Sequence, residues 1–281
     1  MSDTLPFSPR PNPMGTDGIE FVEFATTDPV ALGQLLQAMG FRCTARHRAK
    51  QVLLYRQGDI NFIVNAEPDS FAQHYAQQRG HSICAIALRV KDARQATLRA
   101  RELGAWEVDM GTGVMELHIP AFQGVGGSLL YLVDRYGEHS IYDVDFLPLA
   151  ADGHSGDAGL SQISLLTQSV PAERIGDWQD FYQHLFDFTV SDDGGNRLLS
   201  SPCGKIRLHL QAAVLEHGSS EGMTGVTLGS PDLAASLHTL HAHGLHTAGS
   251  ATGQDISHQL DHAALLQFTI SHAAINQTQG S

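Results

Sequence analysis

The chain has 281 residues, 42% of them hydrophobic and 17% charged, with a formal net charge of −13. That is the composition of a globular chain long enough to bury two ordinary cores. The acidic balance argues against nucleic acid and anionic membranes as partners, since both require a basic footprint. No stretch approaches the roughly 18 consecutive apolar residues that span a bilayer, so no membrane segment is expected. The opening MSDTLPFSPRPNPMGT lacks the basic-then-apolar order of a signal peptide, so no secretory leader is expected either.

Cys43, Cys84 and Cys203 are widely spaced and odd in number, which gives neither a CxxC pair nor a disulfide framework. They point to a reducing, cytoplasmic compartment. Eleven of the sixteen histidines follow residue 151. The second part of the chain therefore changes charge most near the ordinary imidazole pKa of ~6.5. Solvated surface is the simplest reading of that imbalance.

Four segments share one plan of strand, short polar turn, amphipathic helix and a glycine or aromatic stop. The first begins at Ile19 (IEFVEFATTDPVALGQLLQAMGF) and places Leu32, Leu35, Leu36 and Met39 on one helix face, with Gly40 as the stop. The second begins at Ser82 (SICAIALRVKDARQATLRARELGA). The third begins at Ile163 and carries the stripe Trp178, Phe181, Tyr182, Leu185 and Phe186. The fourth begins at Met223 and carries the weaker stripe Leu233, Leu237, Leu240 and Leu245.

Strand-like runs follow each helix: QVLLYRQGD and INFIVNAE; MELHIPA, SLLYLVDRYG and SIYDVDF; NRLLSSP and KIRLHLQ; ISHQLD and ALLQFTI. The predicted class is α+β, four βαβββ modules in two domains at 12–148 and 159–275. Each domain is a curved mixed sheet with its helices outside, and the last module is shortened. The Gly-, Ala- and Asp-rich LPLAADGHSGDAG (147–159) reads as the linker.

Four strings narrow the assignment: NPMGTDGIEFVEFATTDP, YRQGDINFIVNAEPDSFA, MELHIPAFQGVGGSLLYLVDRYGEHSIYDVDF and SPCGKIRLHLQ. They resemble the 4-hydroxyphenylpyruvate dioxygenase family of the vicinal oxygen chelate (glyoxalase/bleomycin resistance/dioxygenase) superfamily. The likeness is dense over 12–146 and patchier over 159–272. The resemblance implies a mainly structural N-terminal half, which also carries the association surface of a homo-oligomer. It implies a C-terminal half enclosing a non-haem Fe(II), held by two histidines and a glutamate with open positions for a 2-oxo acid and O₂. A role in tyrosine catabolism would follow.

Carried over residue by residue, that ligand set is missing. The family strand GLxxIDHLTHNV stands here as GLSQISLLTQSV, which places Leu165 at the first histidine, Ser164 at the neighbouring acid and Gln168 at the later histidine. The family run EGIQHIAL stands as EGMTGVTL, with Gly225 at the second histidine. ALLQFTI matches the strand that precedes the family glutamate, and a coarser alignment puts the glutamate at Gln267 or Ala274. No glutamate follows Glu221. The helix that closes over the family site has no counterpart in the sequence as given. No Fe(II) or other cofactor is expected.

Three readings follow. In the favoured one the protein keeps the fold without the dioxygenase and binds an aromatic or 2-oxo acid, or a protein partner. Gln211, Gln267 and the strand histidine His209 are its pocket residues; Gln211 stands where the family has an asparagine after its KIRxPL run. The second reading is a metal-independent lyase or isomerase acting on an aromatic or cyclic acid. No carboxylate–histidine pair is legible for it. The third is a dioxygenase with relocated ligands, drawn from His209, His258 or His262 with Asp255 or Asp261; the helix pair His238 and His241 is a further spacing. GVGGS (124–128) lies between strands and reads as a structural loop rather than a phosphate cradle. Arg46, His47, Arg48 and Lys50 read as a solvated, protective sheet edge. No GxSxG is present, and Ser200 and Ser201 have no evident base.

Overall fold

The structure is a computed structural model and describes residues 12–111, 117–150, 156–213, 221–250, 253–257 and 266–273. His258, Asp261, His262 and Ala274 lie outside the described residues.

Each of the four units folds as strand, helix and three strands. The first is β1 (Thr16–Ala25), α1 (Pro29–Ala38), β2 (Arg42–His47), β3 (Val52–Gln57) and β4 (Ile60–Asn65). A connecting helix α2 (Phe71–Arg79) leads to β5 (Ser82–Val90), α3 (Ala93–Glu102), β6 (Glu107–Val108), β7 (Ala121–Gln123) and β8 (Leu129–Val133). Helix α4 (Ile141–Asp145) and strand β9 (Phe146–Pro148) follow. The third unit is β10 (Gln162–Val170), α5 (Ile175–Phe186), β11 (Thr189–Asp193), β12 (Asn196–Ser200) and β13 (Arg207–Ala212). The fourth is β14 (Gly222–Ser230), α6 (Leu233–Ala242), β15 (His246–Ser250), β16 (Gly253–Ser257) and β17 (Gln267–His272). The shortening expected of the fourth unit does not extend to its sheet, which keeps all five elements.

The helix starts explain the repeat. Asp28, Asp92 and Asp232 each end a strand–helix turn and accept a backbone N–H of the first helical turn, from Ala31, Gln95 and Ala235 at 2.9–3.0 Å. An unpaired N–H at a helix start needs such an acceptor, which is worth about 1 kcal/mol. The predicted stripes then face inward: Leu32, Leu36 and Met39 are fully buried on the first helix, as are Tyr182 and Phe186 on the third.

The sheet is mixed. In each half the opening strand of one unit pairs antiparallel with that of the other, β1 with β5 and β10 with β14. Each opening strand also pairs parallel with the last strand of its own unit. Met223 opposite Ile83 links β14 to β5 and makes one sheet of seventeen strands. The main core runs through both halves; Phe268 lies 5.8 Å from Phe24 and 6.3 Å from Phe62, ring to ring. Burying such a ring contributes about 2–3 kcal/mol.

Four expectations change. The described part of MELHIPA, Leu117 to Pro120, is not a strand, and the run enters β7 only at Ala121. SIYDVDF is not a strand: Ser140 caps a short helix, Asp143 reaches back to the Ser140 N–H at 2.9 Å, and only Phe146 enters a strand. The basic cluster at 46–50 does not border a free edge, because β9 pairs with β2 through Ala45, Arg46 and His47. Arg48 adds a bond to the Val144 carbonyl at 2.7 Å. ALLQFTI contributes β17, the last strand of the fourth unit, and not the strand before it.

Candidate functional site

The second half carries a cavity of about 230 Å³ on the concave face of its sheet, lined in part by Ser164, Leu165, Asp193, Arg207, His209 and Thr227. Alternation along the strands places Leu165 and Thr227 on that face. They are paired across β10 and β14. The register slips between Ile163 and Leu165, and this bulge at Ser164 turns two consecutive residues of β10 toward the cavity.

His209 is 5% exposed, and its Nε2 lies 3.0 Å from Asp193 Oδ2. The contact is close but is not an aligned hydrogen bond; Nδ1 and Nε2 both lack a hydrogen-bond partner. Ser164 Oγ is buried without a partner as well. Arg207 lines the same cavity and has no side-chain hydrogen bond or ion pair among the described residues. Unpaired buried polar atoms each cost about 1–3 kcal/mol unless water or a ligand meets them. The cavity therefore gathers a guanidinium, an imidazole and a hydroxyl around a small space. Asp193, at the end of β11, and Arg207 and Thr227 are the members that sequence reading missed; Asp193 carried the least signal. It sits 16 residues from His209 in a run with no pattern of its own, and only the pairing of β11, β12 and β13 brings the two together.

Gln211 and Gln267 are half-buried on β13 and β17 and lie outside this cavity's lining. Gln267 Nε2 donates to the carbonyl of Phe268 at 3.2 Å. Gln168 is fully buried and faces the helix layer, donating to the Tyr182 hydroxyl at 2.8 Å. Burial raises the Tyr182 phenol to about 12. Asp255, on β16, accepts from Thr269 at 2.7 Å and from Ser250 at 2.8 Å and lies outside this cavity's lining. His238 and His241 are exposed on α6.

The positions that the family resemblance assigns to the two histidines fall on neighbouring strands, Leu165 on β10 and Gly225 on β14; of the two places for the glutamate, Gln267 lies on β17 directly opposite Gly225 and Ala274 lies outside the described residues. Leucine and glycine have no donor atoms, and the glutamine amide is turned to the backbone. A Cβ at Gly225 would already lie 3.3 Å from Thr167 Cβ, so the position is no vacant seat for a larger side chain. Among the described residues no three His, Cys, Asp or Glu side chains are placed to share a metal ion. Among the described residues, the side chains at these positions do not fit the two-histidine, one-carboxylate iron.

The two halves meet through polar clamps. Gln57, 4% exposed, donates to Met39 O at 2.9 Å and accepts from the Ala158 and Leu160 amides at 2.8 and 3.2 Å. Glu221 accepts from Trp178 Nε1 at 2.7 Å and from the Gly126 amide at 3.1 Å, and pairs with Arg174. The GVGGS loop is thus a docking loop for the start of β14.

Residues 11–147 match the family model described as hydroxyphenylpyruvate dioxygenase, N-terminal. The chain is 40% identical over 258 residues to the hemolysin VllY of Vibrio vulnificus, covering 83% of this chain and 72% of that protein. It is 38% identical over 256 residues to a 4-hydroxyphenylpyruvate dioxygenase of Pseudomonas aeruginosa, with the same coverage of 83% and 72%. Among solved structures it superposes on a xylose isomerase-like TIM barrel/4-hydroxyphenylpyruvate dioxygenase fusion protein with a TM-score of 0.76 at 34% identity, over 88% of this chain and 42% of the fusion. No helix among the described residues is long and apolar enough to cross a membrane. The fold, the matched N-terminal half and the extent of these identities agree: the chain belongs to the 4-hydroxyphenylpyruvate dioxygenase family.

Proposed function

We propose that this protein uses the family fold without the family's Fe(II)-dependent dioxygenase reaction, and that its C-terminal pocket binds a small carboxylic or 2-oxo acid. The observation that supports the reading is the makeup of one cavity. Where the family resemblance places the iron ligands, this chain has Leu165, Gly225 and either Gln267 or Ala274. Beside them stand a guanidinium and an imidazole without hydrogen-bond partners, Arg207 and His209. Iron would supply a site for a chelating keto acid and O₂; without its ligands the remaining chemistry is recognition of negative charge. Arg207 offers a planar fork matched to a carboxylate, His209 a ring N–H, and Ser164 a hydroxyl for a second oxygen. Leu165 supplies an apolar wall where a ligand's carbon end would rest.

A volume of about 230 Å³ limits the ligand to a small acid, from pyruvate up to a single-ring 2-oxo acid. A thermal-shift series with pyruvate, 2-oxobutyrate, phenylpyruvate and 4-hydroxyphenylpyruvate tests this, since a ligand of the native state raises the apparent stability by RT ln(1 + [L]/Kd). Saturable stabilisation by the small 2-oxo acids supports the proposal, and its absence across the series rejects it.

The contact between His209 and Asp193 favours a second reading. A buried imidazole beside a carboxylate is the pair that general acid–base catalysis needs, so a metal-independent lyase or isomerase on a small acid is the alternative. Deuterium exchange at C3 of bound pyruvate, followed by NMR, separates the two: a binder leaves the methyl protons untouched, and an acid–base enzyme exchanges them.

A further inference from the structure

The first half holds a cavity at the position equivalent to the C-terminal pocket, and it is the larger of the two, about 610 Å³ against about 230 Å³. Strand register fixes the equivalence. Phe21 pairs with Ala87 as Leu165 pairs with Thr227, and Glu23 pairs with Ala85 as Thr167 pairs with Gly225. Glu23 stands opposite Ile63 as Thr167 stands opposite His209, and Ala87 opposite Tyr131 as Thr227 opposite Thr269. The slip at Ser164 recurs around Glu20, between Ile19 and Phe21. The space is a half-open cleft that reaches from exposed Asp69 and Asp109 down to buried Glu23. The volume lies within the ordinary range of small-molecule sites.

The polar group at the centre of this space is Glu23. It is 8% exposed and lines the cavity, and its Oε1 accepts from Asn65 Nδ2 at 2.7 Å. Its second carboxyl oxygen has no hydrogen bond among the described residues. Four aromatic rings, Phe21, Phe71, Tyr131 and Phe146, supply the walls. We infer that the first half carries a second small-molecule site, which binds an organic ammonium compound with an aromatic or bulky apolar body and pairs the ammonium with Glu23.

Charge selects a cation. The lining holds five carboxyl groups, Glu23, Glu67, Asp69, Asp109 and Asp145, against Lys50, His47 and His118. An anion would meet the buried Glu23 carboxyl, with Lys50 as the one lysine or arginine in the described lining. Burial holds the Glu23 proton above the usual carboxyl range. An incoming ammonium would stabilise the charged carboxylate in place of the water that burial removes. Aromatic faces add cation–π attraction of about 0.5–2 kcal/mol. The site is independent of the acid-binding reading of the second half, with which it shares no residue.

Calorimetric titration of the full chain at neutral pH tests the inference with three probes of one shape: 2-phenylethylamine, 2-phenylethanol and phenylacetate. The amine binds with one-to-one saturation, the alcohol about tenfold more weakly or worse, and phenylacetate does not bind at this site. Glu23→Gln weakens the amine by about tenfold or more and leaves the alcohol unchanged. Excess pyruvate does not compete with the amine. Should Glu23→Gln fail to fold, the order of the three probes on the unaltered chain still decides. No saturable amine binding, equal binding of acid and amine, an unaffected Glu23→Gln variant or competition by pyruvate each overturns the proposal.

Discussion

Gly126 and Glu221 are joined at both ends: the Gly126 amide donates to Glu221 Oε1 at 3.1 Å, and Arg79 bridges their carbonyl oxygens at 2.8 and 2.5 Å. The closeness depends on glycine. A Cβ at residue 126 would lie 1.9 Å from the Glu221 carbonyl oxygen, and φ is +63°. Gly126→Ala is therefore expected to lower unfolding stability by about 2–4 kcal/mol. Gly127→Ala, with φ +74° and open space around it, should cost only about 1 kcal/mol. Urea unfolding of the two variants checks this; equal losses would mean that the loop does not hold the halves together.

Gln57 ties three backbone groups at the boundary, and a hydrocarbon there would leave Met39 O and the Ala158 and Leu160 amides without their bonds. Each buried unpaired group costs about 1–3 kcal/mol, so Gln57→Leu should destabilise by about 3 kcal/mol despite its similar size. A loss below about 1 kcal/mol in denaturant unfolding would contradict the interface described.

Glu23 makes a prediction about pH. Its native pKa is raised by burial, opposed by the Asn65 hydrogen bond and by Lys50; Tyr131 and Cys84 are the other titrating groups that interact with it. A carboxyl with a raised native pKa binds its proton more tightly when folded. The native state is thus favoured at low pH, and stability falls as pH rises from the unfolded value of about 4.5 through the native one. Glu23→Gln removes that loss. It should be more stable than the parent at pH 8, with the advantage vanishing below pH ~4.5. Thermal unfolding from pH 4 to 8 measures this, and an advantage that grows as pH falls would reverse the sign. A variant that gains stability while losing amine binding is the usual signature of a functional group held at a stability cost.

In the C-terminal pocket, Arg207→Met and His209→Phe should each weaken pyruvate binding by about tenfold or more, with little change in unfolding midpoint for Arg207→Met. Asp193 is 65% exposed and repels an incoming carboxylate, so Asp193→Asn should tighten pyruvate binding, by about threefold or less. Titration calorimetry distinguishes these outcomes. Weaker binding in Asp193→Asn would favour the acid–base pair of the second reading.

Much of this was legible in the sequence because local and tertiary signals agree. Leu32, Leu36, Tyr182 and Phe186 repeat at helical spacing and are buried, and Asp28, Asp92 and Asp232 start helices in three of four units. Helix α2 escaped notice because FAQHYAQQR is polar and buries only Ala72, Tyr75 and Ala76, with Ser70 as its cap. SIYDVDF alternates like a strand, yet a Ser140–Asp143 capping box outweighs that pattern. In the site, identity was readable at Leu165, Gly225 and Gln267, since donor atoms are a property of residue type. The meeting of His209 with Asp193, and the cavity around Glu23, arise from strand register between segments that carry no motif.

That this fold operates here without the family's iron chemistry is a proposal open to direct measurement. Its most direct test is to incubate the purified chain anaerobically with excess Fe(II), remove free metal, measure bound iron, and follow O₂ uptake on adding 4-hydroxyphenylpyruvate. The account predicts iron well below one equivalent per chain and no O₂ uptake above the protein-free control. One equivalent of retained iron with substrate-dependent O₂ uptake would contradict it.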